Sequence, residues 1–171
     1  MPSPALSQIV STPGPIAGRR IGVVADAGSD LAGIRKLRTA AEKLGATVLV
    51  IAPVGGVLTK GKTELEVDRT NLIARSIEFD AVVIAGGTTP AGDLKLVLLL
   101  QEAYRHCKTL AGWGGADVIL TSAGIALDAP GVAVGSTVNK TFTDTLVASI
   151  GLHRAWERAD LVMASAVPPA T

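Results

Sequence analysis

Read from its amino end, the chain alternates short β-branched runs with longer stretches whose apolar positions recur at helical spacing. Residues 21–25 (IGVVA) form a first apolar run. They are followed by the polar turn Asp26-Ala27-Gly28-Ser29-Asp30 and then by Leu31, Ile34, Leu37, Ala41 and Leu44, the i, i+3, i+4 pattern of a helix that Gly45 ends. Residues 47–52 read as a second strand, stopped by Pro53 and Gly55-Gly56. Val57-Leu58 and residues 65–67 flank the polar turn 59–63 and predict a hairpin inserted before the next parallel strand. Residues 81–85 predict a buried strand, 93–106 a helix, 109–112 a further strand, 115–123 a helix, 132–134 a last short strand and 140–158 a long terminal helix.

Strand–helix alternation of this kind predicts a doubly wound, mostly parallel sheet with helices on both faces, a flavodoxin-like α/β sandwich of three layers. Composition sharpens the picture. Hydrophobic residues are 48% of the 171 and aromatics only 3%, so Ala, Val, Leu and Ile must fill the core, as in a parallel sheet covered on both sides. The segment 1–18 carries Pro2, Pro4, Pro13 and Pro15 among small residues and reads as a linker or extended arm. A domain follows over residues 19–161, and residues 162–171, with Pro168 and Pro169, read as a flexible tail. Such ends predict a module excised from a longer protein as readily as a small protein with frayed termini.

Charge excludes several classes of function. Sixteen basic and 15 acidic residues are scattered along the chain for a net charge of +1, which leaves no footprint for nucleic acid or for an anionic membrane. The longest apolar stretches, 80–87 and 94–100, are far too short to span a bilayer, so a soluble chain is expected. The amino terminus lacks the basic start and long apolar run of a secretory signal. A single cysteine, Cys107, precludes a disulfide framework within the chain and a multi-cysteine zinc site.

In doubly wound sheets ligands collect beyond the carboxyl ends of the strands, which here gathers residues 26–30, 86–89 and 113–115. The stretch KTLAGWGGADVIL (108–120) has the layout of a nucleophile elbow, an apolar strand turning through glycines into a helix. The apex holds Trp113, Gly114 or Gly115 and no Ser or Cys. Ser29 or Asp30 is expected to cap the first helix, and Asn139 or Thr141 the last. Asn139-Lys140-Thr141 also fits the glycosylation pattern, which matters only in a secreted protein. Asp26 and Asp30 would repel phosphate from the Gly28-Ser29 loop. His106 and Cys107 would point to different sides of a helix, a poor metal pair, and His106 is read as a solvated or capping residue. His153 lies in HRAWER, where Arg154 and Glu157 would share a solvated face and Trp156 would anchor the helix or a partner surface.

At these residues the sequence resembles a known family. The ordered segments VVADAGSDLAGIRKL, FDAVVIAGG and AYRHCKTLAGWGG are similar to the class I glutamine-amidotransferase-like superfamily, which includes PfpI-type proteases and the Parkinson-disease protein deglycase. The segments AYRHCK and FTDTLVASIGLHRAWER resemble more closely the carboxy-terminal domain of large-subunit haem catalases, over about residues 17–160. Carried over residue by residue, the resemblance places the missing nucleophile at Gly114, the missing acid at Ala32, and Gly115, Ala116 and Asp117 where a histidine often follows. The pair Gly86-Gly87 stands where the backbone donors of an oxyanion nest are expected.

The resemblance therefore implies a non-catalytic accessory domain with no cofactor of its own, attached to a parent that decomposes hydrogen peroxide at a haem in a separate core. It implies the catalase core and neighbouring subunits of a homotetramer as partners, a role in stability, and chaperone-like holding of unfolded clients; the compartment follows the parent. Two alternatives stand beside it. One is a thiol hydrolase, deglycase or redox sensor using Cys107, against the plain reading of Cys107 as a buried packing residue. The other is a small-molecule-binding module with its ligand at Gly86, Gly87 and Gly114.

Overall fold

The computed structural model describes residues 9, 11–89 and 92–159. Six parallel strands form one sheet in the order β5-β2-β1-β6-β7-β8. They are β1 (Arg20–Val24), β2 (Thr47–Ala52), β5 (Arg69–Thr70), β6 (Ala81–Ile84), β7 (Thr109–Trp113) and β8 (Val132–Gly135). The remaining pair, β3 (Gly56–Lys60) and β4 (Thr63–Val67), is an antiparallel hairpin between β2 and β5, where the sequence predicts it. The two-residue strand β5 was not expected; Arg69 and Thr70 carry no apolar alternation, and backbone pairing to Ile51 and Ala52 alone makes them a strand.

The period-2 alternation of the strands divides the core into two layers. Ile21, Val23, Ala81, Val83, Ala111 and Trp113 face one side, where they meet α1 (Leu31–Glu42) and α4 (Lys140–Gly151). Val24, Val82, Ile84 and Leu110 face the other, against α2 (Leu94–Arg105) and α3 (Ala116–Ser122). This is the flavodoxin-like three-layer α/β architecture. Every residue of β6 and β7 is buried, as a parallel strand covered on both faces requires.

Two expectations change at the ends of the domain. Within the expected linker, the described residues 11–18 form no helix or strand, but Ile16 is only 2% exposed in the core of the α1/α4 layer. The Gly14 N–H donates to the Gly151 carbonyl and that of Gly18 to the Gly45 carbonyl, so this stretch docks on the domain. The terminal helix expected over 140–158 stops at Gly151. Leu152 caps it, His153 turns into the left-handed region at φ 67°, and the Ala155 N–H donates to the Cys107 carbonyl. The chain thereby leaves the helix axis, and the helical face expected for Arg154 and Glu157 does not form; residues 157–159 are a separate helical turn. Most of the expected tail, from residue 160 on, lies outside the described residues.

Candidate functional site: a closed elbow at the carboxyl edge

β7 lies between β6 and the edge strand β8, and its last residue, Trp113, is 1% exposed. The strand can turn sharply into α3 because three glycines remove side chains where backbones converge. A Cβ on Gly112 would lie 2.3 Å from the Ala116 Cβ and 3.0 Å from the Ile84 carbonyl, so α3 packs onto the strand only over glycine. Gly114 and Gly115 follow at φ 54° and 98°, left-handed backbone that favours glycine. Gly114 thus has the strained conformation of a nucleophile elbow without its side chain.

Space is lacking too. A Cβ on Gly114 would meet the Gly86 Cα at 3.2 Å and the Ser136 carbonyl at 3.6 Å, so a side chain there would press on the loop after β6. The Gly114 N–H donates to the Gly135 carbonyl (3.0 Å), and the Gly114 carbonyl accepts from the Gly87 N–H (3.1 Å). The donor expected to bind an oxyanion at Gly87 is therefore used to hold the elbow. Gly86 contributes through its carbonyl, which accepts from the Asp30 N–H (2.7 Å). A Cβ on Gly86 would fall 2.8 Å from the Trp113 indole, so the glycine lets the ring lie against the loop.

The third link comes from the start of α1. Asp30, not Ser29, caps this helix, its carboxylate accepting from the Gly33 N–H (2.9 Å). Its second oxygen accepts from the Trp113 Nε1 (3.1 Å), a contact across 83 residues that no local pattern announces. Ser29 accepts from the Asp26 N–H and bonds the Thr88 hydroxyl, which joins the loops after β1 and β6. Ala32, where the resemblance places an acid, lines a cavity with Lys60 and Thr63 beneath the hairpin. There the Lys60 ammonium donates to the Gly28 and Ser29 carbonyls (2.6 and 3.0 Å). The structure thus joins Gly86, Gly87, Trp113 and Gly114 in one cluster, with Asp30 as the added member.

Cys107 lies elsewhere. It follows the cap of α2 at φ 55°, 4% exposed, before the first residue of β7, so the length of that strand separates it from the elbow. Around this amino edge of the sheet the sequence missed a set of buried cations. The Lys108 ammonium donates to the carbonyls of Ser76 and Phe79 (2.7 Å to Phe79). Arg158, fully buried, donates to the Lys108 carbonyl and lies 4.6 Å over the Tyr104 ring. Burial pushes Lys108 and Arg158 below their ordinary pKa values. Arg19 bridges Asp80 (3.0 Å) and donates to the His153 Nδ1 (2.7 Å). Burial, with the nearby Arg154 and Arg19 charges, lowers the His153 pKa and favours the neutral ring that this acceptor role needs. His106 shares a hydrogen bond with Ser76 (3.2 Å). Asn139, not Thr141, caps α4 by accepting from the Phe142 N–H.

No group of three or more His, Cys, Asp or Glu suited to a metal ion occurs among the described residues. Five cavities on the described surface have no His, Cys, Met or Tyr in their walls, so none offers an axial ligand to a haem. No described helix is long and apolar enough to cross a membrane.

Comparison with known proteins agrees with this architecture. Residues 17–160 match the model of the C-terminal domain found in long catalases. Catalase HPII of Mycobacterium avium is 35% identical over 175 residues, covering 91% of this chain and 25% of that protein. Catalase-B of Dictyostelium discoideum is 32% identical, covering 94% of this chain and 24% of its own length. Catalase-2 of Bacillus subtilis is 30% identical, with 91% and 23% covered. The chain spans about a quarter of the length of these relatives. It belongs to the family of C-terminal domains found in long catalases.

Proposed function

We propose that this chain is the accessory, non-catalytic module of a large-subunit catalase, whose remaining three quarters convert two molecules of hydrogen peroxide to two of water and one of oxygen at a haem. The observation that carries the non-catalytic reading is the elbow itself. Gly114 supplies no nucleophile, and the Gly87 N–H that would hold an oxyanion is bonded to the Gly114 carbonyl. The module acts by contact, with the catalase core and with neighbouring subunits of a homotetramer, and raises the stability of that assembly. Exposed Leu72, Ile73 and Ile77, and Leu94 and Leu98 one turn apart on or beside α2, supply apolar surface for such contacts and for holding unfolded clients.

The test compares a long catalase with and without the segment corresponding to residues 17–160. Removal is expected to lower the melting temperature and to loosen the tetramer while leaving peroxide turnover per folded haem site unchanged. Unchanged melting and assembly would refute the stabilising role. Addition of the 171-residue chain in near-stoichiometric amounts should suppress aggregation of heated client proteins; no suppression across several clients would remove the chaperone role. Nothing favours the thiol-enzyme reading, since Cys107 is buried and far from the elbow.

A further inference from the structure

Between β5 and β6 the chain runs along α2 from its first cap to its last. Asn71 donates to Asp93, the amino cap of α2 (2.7 Å), and Ser76 shares a hydrogen bond with His106, the carboxyl cap (3.2 Å). Twelve helical residues make this seam about 18 Å long, enough to seat about three turns of a partner helix. Midway along it Ala74, Arg75, Leu98 and Glu102 line a cavity of about 210 Å³.

The seam is apolar where it faces outward. Ile77 is 80% exposed and Leu94 65%, and Leu72, Ile73 and Leu98 are exposed as well. The buried face of α2 is already supplied by Leu96, Leu99, Leu100 and Ala103, so Leu94 and Leu98, one turn apart, are not needed for the core. Single apolar residues are ordinary on a surface, but five large aliphatic side chains along one seam mark a place of contact.

Charge says what the contact is. Arg75, Lys95 and Arg105 are exposed along the same seam, and none of them forms an ion pair among the described residues. Lys95 helps to keep the capping Asp93 ionised, yet it lies in the first turn of α2, where the helix dipole disfavours a cation. The carboxylates nearby are mostly committed. Glu78 accepts from Arg69 (2.7 Å) and from the Arg75 N–H, and Asp93 accepts from Asn71, which leaves Glu102 in the cavity wall. Two copies of the chain meeting here about a two-fold axis would bring the three cations of one onto those of the other. A polybasic membrane site takes about four to eight cations, and Glu102 would face the lipid headgroups. A protein surface that sets apolar side chains between carboxylates matches both the aliphatic residues and the cations.

We propose that the seam between segment 71–78 and α2 seats an acidic amphipathic helix of a protein partner. Its apolar side chains would lie against Ile73, Ile77, Leu94 and Leu98, and its carboxylates against Arg75, Lys95 and Arg105. On the accessory reading above that partner is the catalase core, and the inference rests on that reading for this identity alone.

The test uses two helical peptides of about four turns with the same leucine face, one flanked by glutamates and the other by lysines. Each is titrated into the ¹⁵N-labelled 171-residue chain. Saturable shifts at the amides of Ile73, Ile77, Lys95 and Leu98 are expected with the glutamate peptide, and binding at least about tenfold weaker with the lysine peptide. Lys95→Glu/Arg105→Glu should reverse that preference. Ile77→Ser, at a position 80% exposed, should weaken the glutamate peptide about fivefold while leaving the melting temperature in place. The wild-type comparison decides the matter even if a variant fails to fold. Equal affinity for the two peptides would make the seam blind to charge, and absence of saturable shifts would make it a solvated surface. Concentration-dependent shifts of the same amides without peptide would make it a contact between copies, and tighter binding to phosphatidylglycerol vesicles a membrane site. Each of these four results overturns the proposal. Unchanged stability of a long catalase that has lost the domain would refute the accessory reading and leave the peptide preference standing, whereas lost stability with no peptide bound would refute the seam alone.

Discussion

The elbow at Gly114 and the crevice lined by Asp26, Asn71, Thr88 and Asp93 lie on the same edge of one sheet and share the loop after β6, yet their polar groups are arranged in opposite ways. At the elbow the N–H groups of Asp30, Gly87 and Gly114 each end on a carbonyl, and the Trp113 indole ends on the Asp30 carboxylate. In the crevice the buried Asn71 amide donates to Asp93, and its oxygen has no hydrogen-bond partner among the described residues. The elbow is thus a clasp that joins the loops after β1, β6 and β7 to the last residue of β8. The region without any catalytic motif retains unsatisfied chemistry. The outline of a motif and the hydrogen-bonding state of its groups are thus separate properties.

Substitutions should separate the two regions by size of effect. The largest is expected at Gly112→Val, where even a Cβ overlaps Ala116 and the Ile84 carbonyl. Overpacking here should cost about 3 kcal/mol, a fall of roughly 10 °C in melting temperature for a chain of this length. Gly114→Cys restores the missing atom but forces a side chain into left-handed backbone against Gly86, at a cost of about 2 kcal/mol. Ester turnover is expected to stay at the buffer rate; turnover in a variant as stable as the wild type would show that the elbow is open. Trp113→Phe keeps most of the buried ring and removes the bond to Asp30, for about 1 kcal/mol by chemical denaturation. Loss of 3 kcal/mol or more would make that single bond, rather than the set of backbone bonds, the clasp.

The smallest effect is a pH dependence in the crevice. Asp26 and Asp93 have folded pKa values below the ordinary 3.8, so their stabilisation is complete above that value and is lost as pH falls through the lower folded values. Asp26→Asn/Asp93→Asn should flatten the decline of stability in that acid range and leave its pH dependence near neutrality unchanged. An unaltered acid limb would contradict the lowered values.

Much of this was legible in the sequence because it is local. The runs VVIA and TLVASI, the turn glycines and the helical spacing of Leu31, Ile34 and Leu37 each carry their own signal, and the hairpin flanks its polar turn as expected. The failures arise where tertiary contact decides. Apolar spacing continues past Gly151, but the bond from Ala155 to Cys107 draws the chain off the helix axis. Arg69 and Thr70 become a strand only because β2 lies beside them. That the turn 113–115 holds no Ser or Cys was plain, whereas the closure of Gly87 depends on loops brought together by the sheet. Asn71 sits in the polar sequence RTN and gives no sign that its amide will be buried against Asp93.

Amide hydrogen exchange at Gly87 tests the closed clasp most directly. Gly87 is exposed, so its N–H has no protection by burial and would exchange at nearly the free-chain rate unless it holds the Gly114 carbonyl. A closed clasp predicts slow exchange at both Gly87 and Gly114, lost together in Gly114→Cys. Rapid exchange at Gly87 in an otherwise protected sheet would show a free donor at the elbow and contradict its reading as a purely structural turn.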